Sequence, residues 1–141
     1  MEITRRQSLI LGAGAAVIAG LPLSVWAEEN GMTEAIQAFT KGADVPDGDV
    51  EIDAPDIAEN GYTVPISVSA NQAEAILLLA PGNPTARVAE FRFGALSAVS
   101  SAKTRIRLAR NQHLLAIARF QDGSFARTIR PIQVTVGGCS A

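Results

Sequence analysis

Short apolar runs with a period of two, each closed by glycine, proline or asparagine, constrain this chain more than any other feature. Val64, Ile66 and Val68 alternate with Pro65, Ser67 and Ser69, and Ile106 and Leu108 alternate with Arg105 and Arg107. Successive side chains of a strand point to opposite faces, so such runs bury one face of a sheet and wet the other. Residues 75–80 are apolar throughout and stop at Pro81-Gly82-Asn83-Pro84, which reads as a fully apolar strand. Residues 49–52 alternate, Asn60-Gly61 turns the chain, and residues 88–93 and 104–108 continue the pattern. Residues 113–120 and 125–132 flank Asp122-Gly123, the favoured two-residue hairpin turn, and 132–136 form the last strand. Pro65 suits a sheet edge or a bulge. Ahead of the strands, residues 32–40 read as a short helix, capped by Thr33, apolar on its Ile36 and Phe39 face and ended by Gly42. Seven or eight short strands with regular turns predict an all-β fold, an Ig-like antiparallel β-sandwich with a short N-terminal helix and a flexible C-terminal arm.

The first residues stand apart from that body. Arg5 and Arg6 precede an apolar, glycine- and alanine-rich stretch, and Val25-Trp26-Ala27 offers small residues where a signal peptidase reads. The pattern is that of a twin-arginine export signal over residues 1–27. It predicts a periplasmic protein that crosses the membrane already folded, with a domain over 28–136 and an arm over 137–141. No later stretch is long and apolar enough to span a bilayer, so no membrane association is expected after cleavage.

Composition narrows the chemistry. A formal charge of -2 and a pI near 5.3 argue against a dedicated nucleic-acid binder. One histidine and one cysteine rule out a zinc site built from Cys and His, and one thiol rules out an internal disulfide. No metal or cofactor is expected. Asp49, Glu51 and Asp53 supply oxygen ligands but lack the loop glycine and final glutamate of a calcium hand. His113, at a strand entrance, reads as a structural or surface residue. Charge is also divided along the chain. Residues 28–59 hold ten acids against Lys41, and from Arg87 onward nine bases face Glu90 and Asp122. Such faces either pair internally or meet a partner. Arg105 and Arg107 share one side of their strand, where they guide anionic adducts, contact a partner or face solvent.

The sharpest chemistry lies at Gly137-Gly138-Cys139-Ser140-Ala141. Two glycines next to a terminus predict a mobile segment, and a cysteine on such a tether is not a core residue. An unpaired thiol in an exported protein either joins another chain or reacts. A thiol oxidoreductase is disfavoured, because the chain has no Cys-x-x-Cys and no resolving thiol.

Several blocks together give the chain a closer likeness. They are Ala35-Ile36-Gln37-Ala38-Phe39-Thr40, Pro55-Asp56-Ile57-Ala58-Glu59-Asn60-Gly61, Val64-Pro65-Ile66-Ser67-Val68, Asn83-Pro84, Val88-Ala89-Glu90-Phe91-Arg92-Phe93, Thr104-Arg105-Ile106-Arg107-Leu108-Ala109, Gln121-Asp122-Gly123-Ser124-Phe125 and Val134-Thr135-Val136-Gly137-Gly138-Cys139. With Thr4-Arg5-Arg6 at the signal, this combination closely resembles the SoxY family, the sulfur-carrying subunits of the bacterial thiosulfate-oxidising Sox system. The resemblance implies a carrier rather than an enzyme. It makes Cys139 the covalent attachment site for thiosulfate-derived sulfur and Gly137 and Gly138 the swivel. It also implies a heterodimer with a SoxZ-like β-sandwich subunit. The enzymes it implies are a haem-containing sulfur-conjugating enzyme, a sulfate-releasing hydrolase and a sulfane dehydrogenase. The family tail usually continues Gly-Gly after the cysteine, whereas Ser140 and Ala141 follow here. The competing reading is a structural or adhesive exported sandwich whose tail cysteine forms an intermolecular disulfide.

Overall fold

The computed structural model describes residues 31–135. The segments assigned to the export signal, with Arg5 and Arg6, and to the arm, with Gly137, Gly138 and Cys139, lie outside the described residues.

Helix α1 (Met32–Thr40) is followed by eight strands: β1 (Glu51–Asp53), β2 (Ile57–Ala58), β3 (Val64–Ser69), β4 (Ala73–Leu79), β5 (Arg87–Arg92), β6 (Ser101–Ile106), β7 (Gln112–Phe120) and β8 (Phe125–Val134). They form two sheets, a three-stranded one in the order β1-β3-β6 and a five-stranded one in the order β2-β8-β7-β4-β5. The predicted sandwich is present as an open one. One pair departs from the antiparallel expectation. The two-residue strand β2 runs parallel to the end of β8, with Ile57 opposite Gln133 and Ala58 opposite Val134. A strand this short shows no periodicity in sequence, and its partner lies at the far end of the chain.

The apolar run in β4 has a two-sided cause. Ile76, Leu78 and Ala80 face the core between the sheets, together with Val64, Val68, Leu114 and Ile132. Ala75, Leu77 and Leu79 face the opposite side, where they pack with Phe39, Leu115 and Ile117 beneath α1. Leu77 and Leu78 are both essentially inaccessible to water, and burial of each such side chain stabilises the fold by roughly 1.5–3 kcal/mol. The helix is fixed by Phe39, which meets Phe125 edge-on at 5.9 Å and lies under the Arg119 guanidinium at 5.2 Å. Thr33 does not cap α1. Gly31 occupies the capping position with φ 73° and no side-chain hydrogen bond caps the helix there; this left-handed conformation suits glycine, so the helix begins two residues earlier than the cap rule suggested. At the other end Lys41 takes the left-handed conformation and Gly42 follows with φ 80°.

Boundaries move elsewhere for similar reasons. Strand β6 starts at Ser101, earlier than its apolar phase, because its first five residues are all at least partly exposed. Residues 125–134 form one strand through Pro131. Strand β2 reaches only Gln133 and Val134, so Pro131 has a ladder partner on the β7 side alone. Pro65 likewise sits where β3 pairs only with β6, since β1 covers no more than Ser67–Ser69. Both outer strands of the small sheet are charged, β1 with Glu51 and Asp53, β6 with Lys103 and Arg105, which discourages uncontrolled edge pairing.

Candidate functional site

Strand β8 delivers the chain toward Cys139, so the surroundings of its last residues define the site. The Gln133 amide donates to the Asp56 carbonyl at 2.9 Å and the Thr135 amide to the Ala58 carbonyl at 3.0 Å. The Val134 amide donates to Asn111 Oδ1 at 2.6 Å. Asp56 also receives the Arg130 guanidinium at 2.6 Å, a nitrogen that further reaches the Ala54 carbonyl at 3.0 Å. The end of β8 is held on both flanks.

The turn after β2 packs against the end of β8. Asn60 Oδ1 accepts the Tyr62 amide at 3.0 Å, a side chain imitating a backbone turn. The Gly61 carbonyl accepts the Leu108 amide at 2.8 Å. Gly61 is required by contact rather than by a left-handed backbone: a Cβ there would fall 2.6 Å from the Leu108 oxygen and 2.9 Å from Val134 Cγ1.

A second set of contacts stiffens the same end. Asn83 Nδ2 donates to the Arg107 carbonyl at 2.7 Å, and its Oδ1 accepts from the Ala109 amide at 2.9 Å and from Gln112 Nε2 at 3.0 Å. Gln112, largely buried, accepts the Gly82 amide through Oε1 at 2.9 Å and donates to the Arg110 carbonyl at 3.1 Å. Arg110 Nε donates to the Gly82 carbonyl at 2.8 Å. The Asn60-Gly61, Asn83-Pro84 and 104–109 blocks therefore meet at one end of the sandwich, although they are far apart in sequence.

Two exposed side chains stand on this platform. The Arg107 guanidinium lies 4.9 Å from the centre of the Tyr62 ring, and Tyr62 is 75% exposed. Arg105, also exposed, borders a shallow trough on the outer face of the small sheet with Lys103, Pro65, Ser67 and Asp53. His113 is exposed at the start of β7, beside Asn111 and Pro131 in a shallow depression. Asp49, Glu51 and Asp53 are exposed, and no group of three His, Cys, Asp or Glu side chains gathers to hold a metal among the described residues.

Part of the charge division is satisfied internally. Asp47 pairs with Arg127 at 2.9 Å and Asp56 with Arg130, joining the acidic front to the basic back. Within β5, Glu90 bridges Arg92 at 2.9 Å and Arg87 at 3.0 Å. Burial works to raise the Glu90 pKa, but hydrogen bonding and attraction from Arg92, then Arg87, outweigh it and hold the carboxyl below its ordinary value. In the β7–β8 hairpin, the hydroxyl and amide of Ser124 lower the pKa of Asp122.

The sequence reading assigned no role to Tyr62, Arg110 or Gln112. Gln112 carried a usable signal: it falls in phase with Leu114, Ala116 and Ala118, so strand alternation turns a polar amide inward. Nothing local marks the stacking of Tyr62 with Arg107.

Comparison with known proteins bears on the family and the fold. A family model described as sulfur oxidation protein SoxY matches residues 36–139. Among solved structures, the sulfur carrier protein SoxY from Chlorobium limicola f thiosulfatophilum superposes with a TM-score of 0.66 at 28% identity, over 74% of this chain and 96% of that one. A superoxide reductase (neelaredoxin) from Ignicoccus hospitalis has a TM-score of 0.56 at 16% identity, over 74% and 98% respectively, and shares the fold alone. No curated protein matches in a sequence search.

Proposed function

The chain belongs to the SoxY family of sulfur oxidation proteins, and from that membership we propose that it is an exported carrier holding thiosulfate-derived sulfur on Cys139. The observation that carries the reading is the family match, which runs from the helix through to Cys139 itself. The likeness to a structure described as a sulfur carrier supports it. In this reading residues 1–27 direct export by the twin-arginine route to the periplasm, and a SoxZ-like sandwich subunit completes the carrier.

The chemistry assigned to the thiol is simple. A haem-containing partner joins the Cys139 sulfur to the outer sulfur of thiosulfate. One S–S bond forms, the thiol proton leaves, and an electron pair passes to the haem protein. A hydrolase then adds water across the S–SO3 bond, releasing sulfate and a proton and leaving a persulfide on Cys139. A sulfane dehydrogenase is the proposed oxidant of that remaining sulfur. Only the thiolate is nucleophilic, and a free thiol titrates near ~8.5, so the ionised fraction at neutral pH is small. The conjugating enzyme has to supply the positive surroundings that raise it. Gly137 and Gly138 leave the backbone free to enter a narrow channel, and Ser140 and Ala141 add little bulk beyond the sulfur. The sandwich acts as handle and address rather than as catalyst.

Intact-protein mass spectra after turnover with the partner enzymes test this. The wild type should gain the mass of a thiosulfonate or persulfide, and Cys139→Ser should gain none. Equal adduct on both proteins overturns the assignment.

A further inference from the structure

We propose that Tyr62 and Arg107, extended by Arg105 and Arg110, form a docking patch for an acidic protein surface, the rim of the active-site mouth in the enzymes that receive the carrier. The inference rests on the reading of Cys139 as the attachment site. Cys139 lies four residue steps beyond Thr135, a span of at most ~14 Å. An enzyme acting on that sulfur must bring its mouth within this distance of the end of β8. The surface bordering that end then faces the rim. Tyr62 follows Gly61, which packs against Val134, and Arg107 precedes Leu108, which hydrogen-bonds Gly61.

The charge there has no counterpart within the described residues. Of the ten lysines and arginines between 31 and 135, Arg87, Arg92, Arg119, Arg127 and Arg130 are ion-paired. Of the five that form no salt bridge, Lys41 sits at the end of α1, and the other four, Lys103, Arg105, Arg107 and Arg110, fall on β6 and the loop after it. Asp47 and Asp56 of the acidic front are already engaged with Arg127 and Arg130, and Asp53, which lines the trough beside Lys103 and Arg105, forms no salt bridge with either. The complement of such a strip is a carboxylate-rich surface. A single sulfur adduct brings too little negative charge to balance three arginines.

The patch also has the character of a binding hot spot. Tyrosine and arginine dominate such sites. A guanidinium stacked on a ring keeps its N–H edge free for a carboxylate. Asn83 holds the Arg107 carbonyl and Asn60 holds the Tyr62 amide, so the backbone beneath the pair is ordered before any partner arrives.

The test measures sulfate release from loaded carrier by the sulfate-releasing hydrolase, with wild type, Arg105→Gln/Arg107→Gln, Tyr62→Ser and Arg107→Lys. At about 20 mM salt the double variant should raise KM for the carrier about tenfold with kcat kept, and at about 300 mM salt the gap should shrink to about twofold. Arg107→Lys keeps the charge and should lose less than Arg105→Gln/Arg107→Gln; Tyr62→Ser should raise KM at both salt concentrations. Alkylation of Cys139 by neutral iodoacetamide in the free carrier should proceed at the wild-type rate in every variant. An unchanged KM at low salt overturns the patch, and so does a changed alkylation rate, which would assign the arginines to the carrier's own sulfur. Persistence of sulfate release in Cys139→Ser would instead remove the carrier reading, and the patch with it.

Discussion

The Leu108 amide donates to the Gly61 carbonyl at 2.8 Å, and the Leu108 carbonyl returns so close that a Cβ on Gly61 would sit 2.6 Å from its oxygen. Both atoms facing Gly61 there are main chain or the branched side chain of Val134, so neither can swing aside. Gly61→Ala should therefore destabilise the protein by ~1–3 kcal/mol through overpacking. Urea unfolding checks this, and an unshifted midpoint would show that the turn yields freely.

Gln112 joins two loops through three hydrogen-bonding partners: the Gly82 amide, Asn83 Oδ1 and the Arg110 carbonyl. Gln112→Ala leaves the Gly82 amide and the Asn83 carbonyl group without that partner, and should cost ~1–3 kcal/mol. Hydrogen exchange at Gly82 and Ala109 should quicken relative to the β4 amides. Uniform exchange across the fold would mean that the two loops are held by something else.

Ile76 and Leu77 are equally buried but belong to different cores. Either residue replaced by alanine should lose ~2–5 kcal/mol. Leu77→Ala should in addition release α1, read as faster exchange of amides 36–40, whereas Ile76→Ala should leave the helix no looser than the rest. Identical exchange patterns would contradict the separation of the two clusters.

Glu90 makes a pH signature. Its folded pKa lies below the ordinary value of 4.5. The stabilisation is thus present above the unfolded value and is lost as pH falls through the folded one. The stability gap between wild type and Glu90→Gln should be widest near neutrality and narrow progressively below pH 4.5. A gap that stays constant down to pH 2 would show that Arg87 and Arg92 do not act on Glu90 through its charge.

Much of the body was legible because burial in a sandwich is written locally. Val64, Ile66 and Val68 alternate for the same reason that they line the core. The apolar run in β4 announced a strand but hid the fact that Leu77 and Leu79 belong to α1. The cap was misplaced because Thr33 follows a rule of composition, while Gly31 is chosen by its backbone angle. The site was legible only in fragments. Asn83, Gly61 and the 104–109 block each stood out, yet what joins them is spatial: Arg107 meets Tyr62 from 45 positions away. Strand β2, two residues long and parallel to β8, leaves no periodic trace at all.

That parallel pairing has a bearing on the order of assembly. Thr135 closes on Ala58 across 77 positions, and Arg130 on Asp56 across 74. Contacts this remote in sequence carry a large loop-closure cost and are favoured only once the intervening strands have shortened the path. In the proposed carrier, a nascent or half-collapsed chain would possess the thiol yet lack the seat from which it is offered. Completion of the fold, rather than synthesis of the tail, then becomes the event that makes the molecule presentable to the enzymes proposed to receive it.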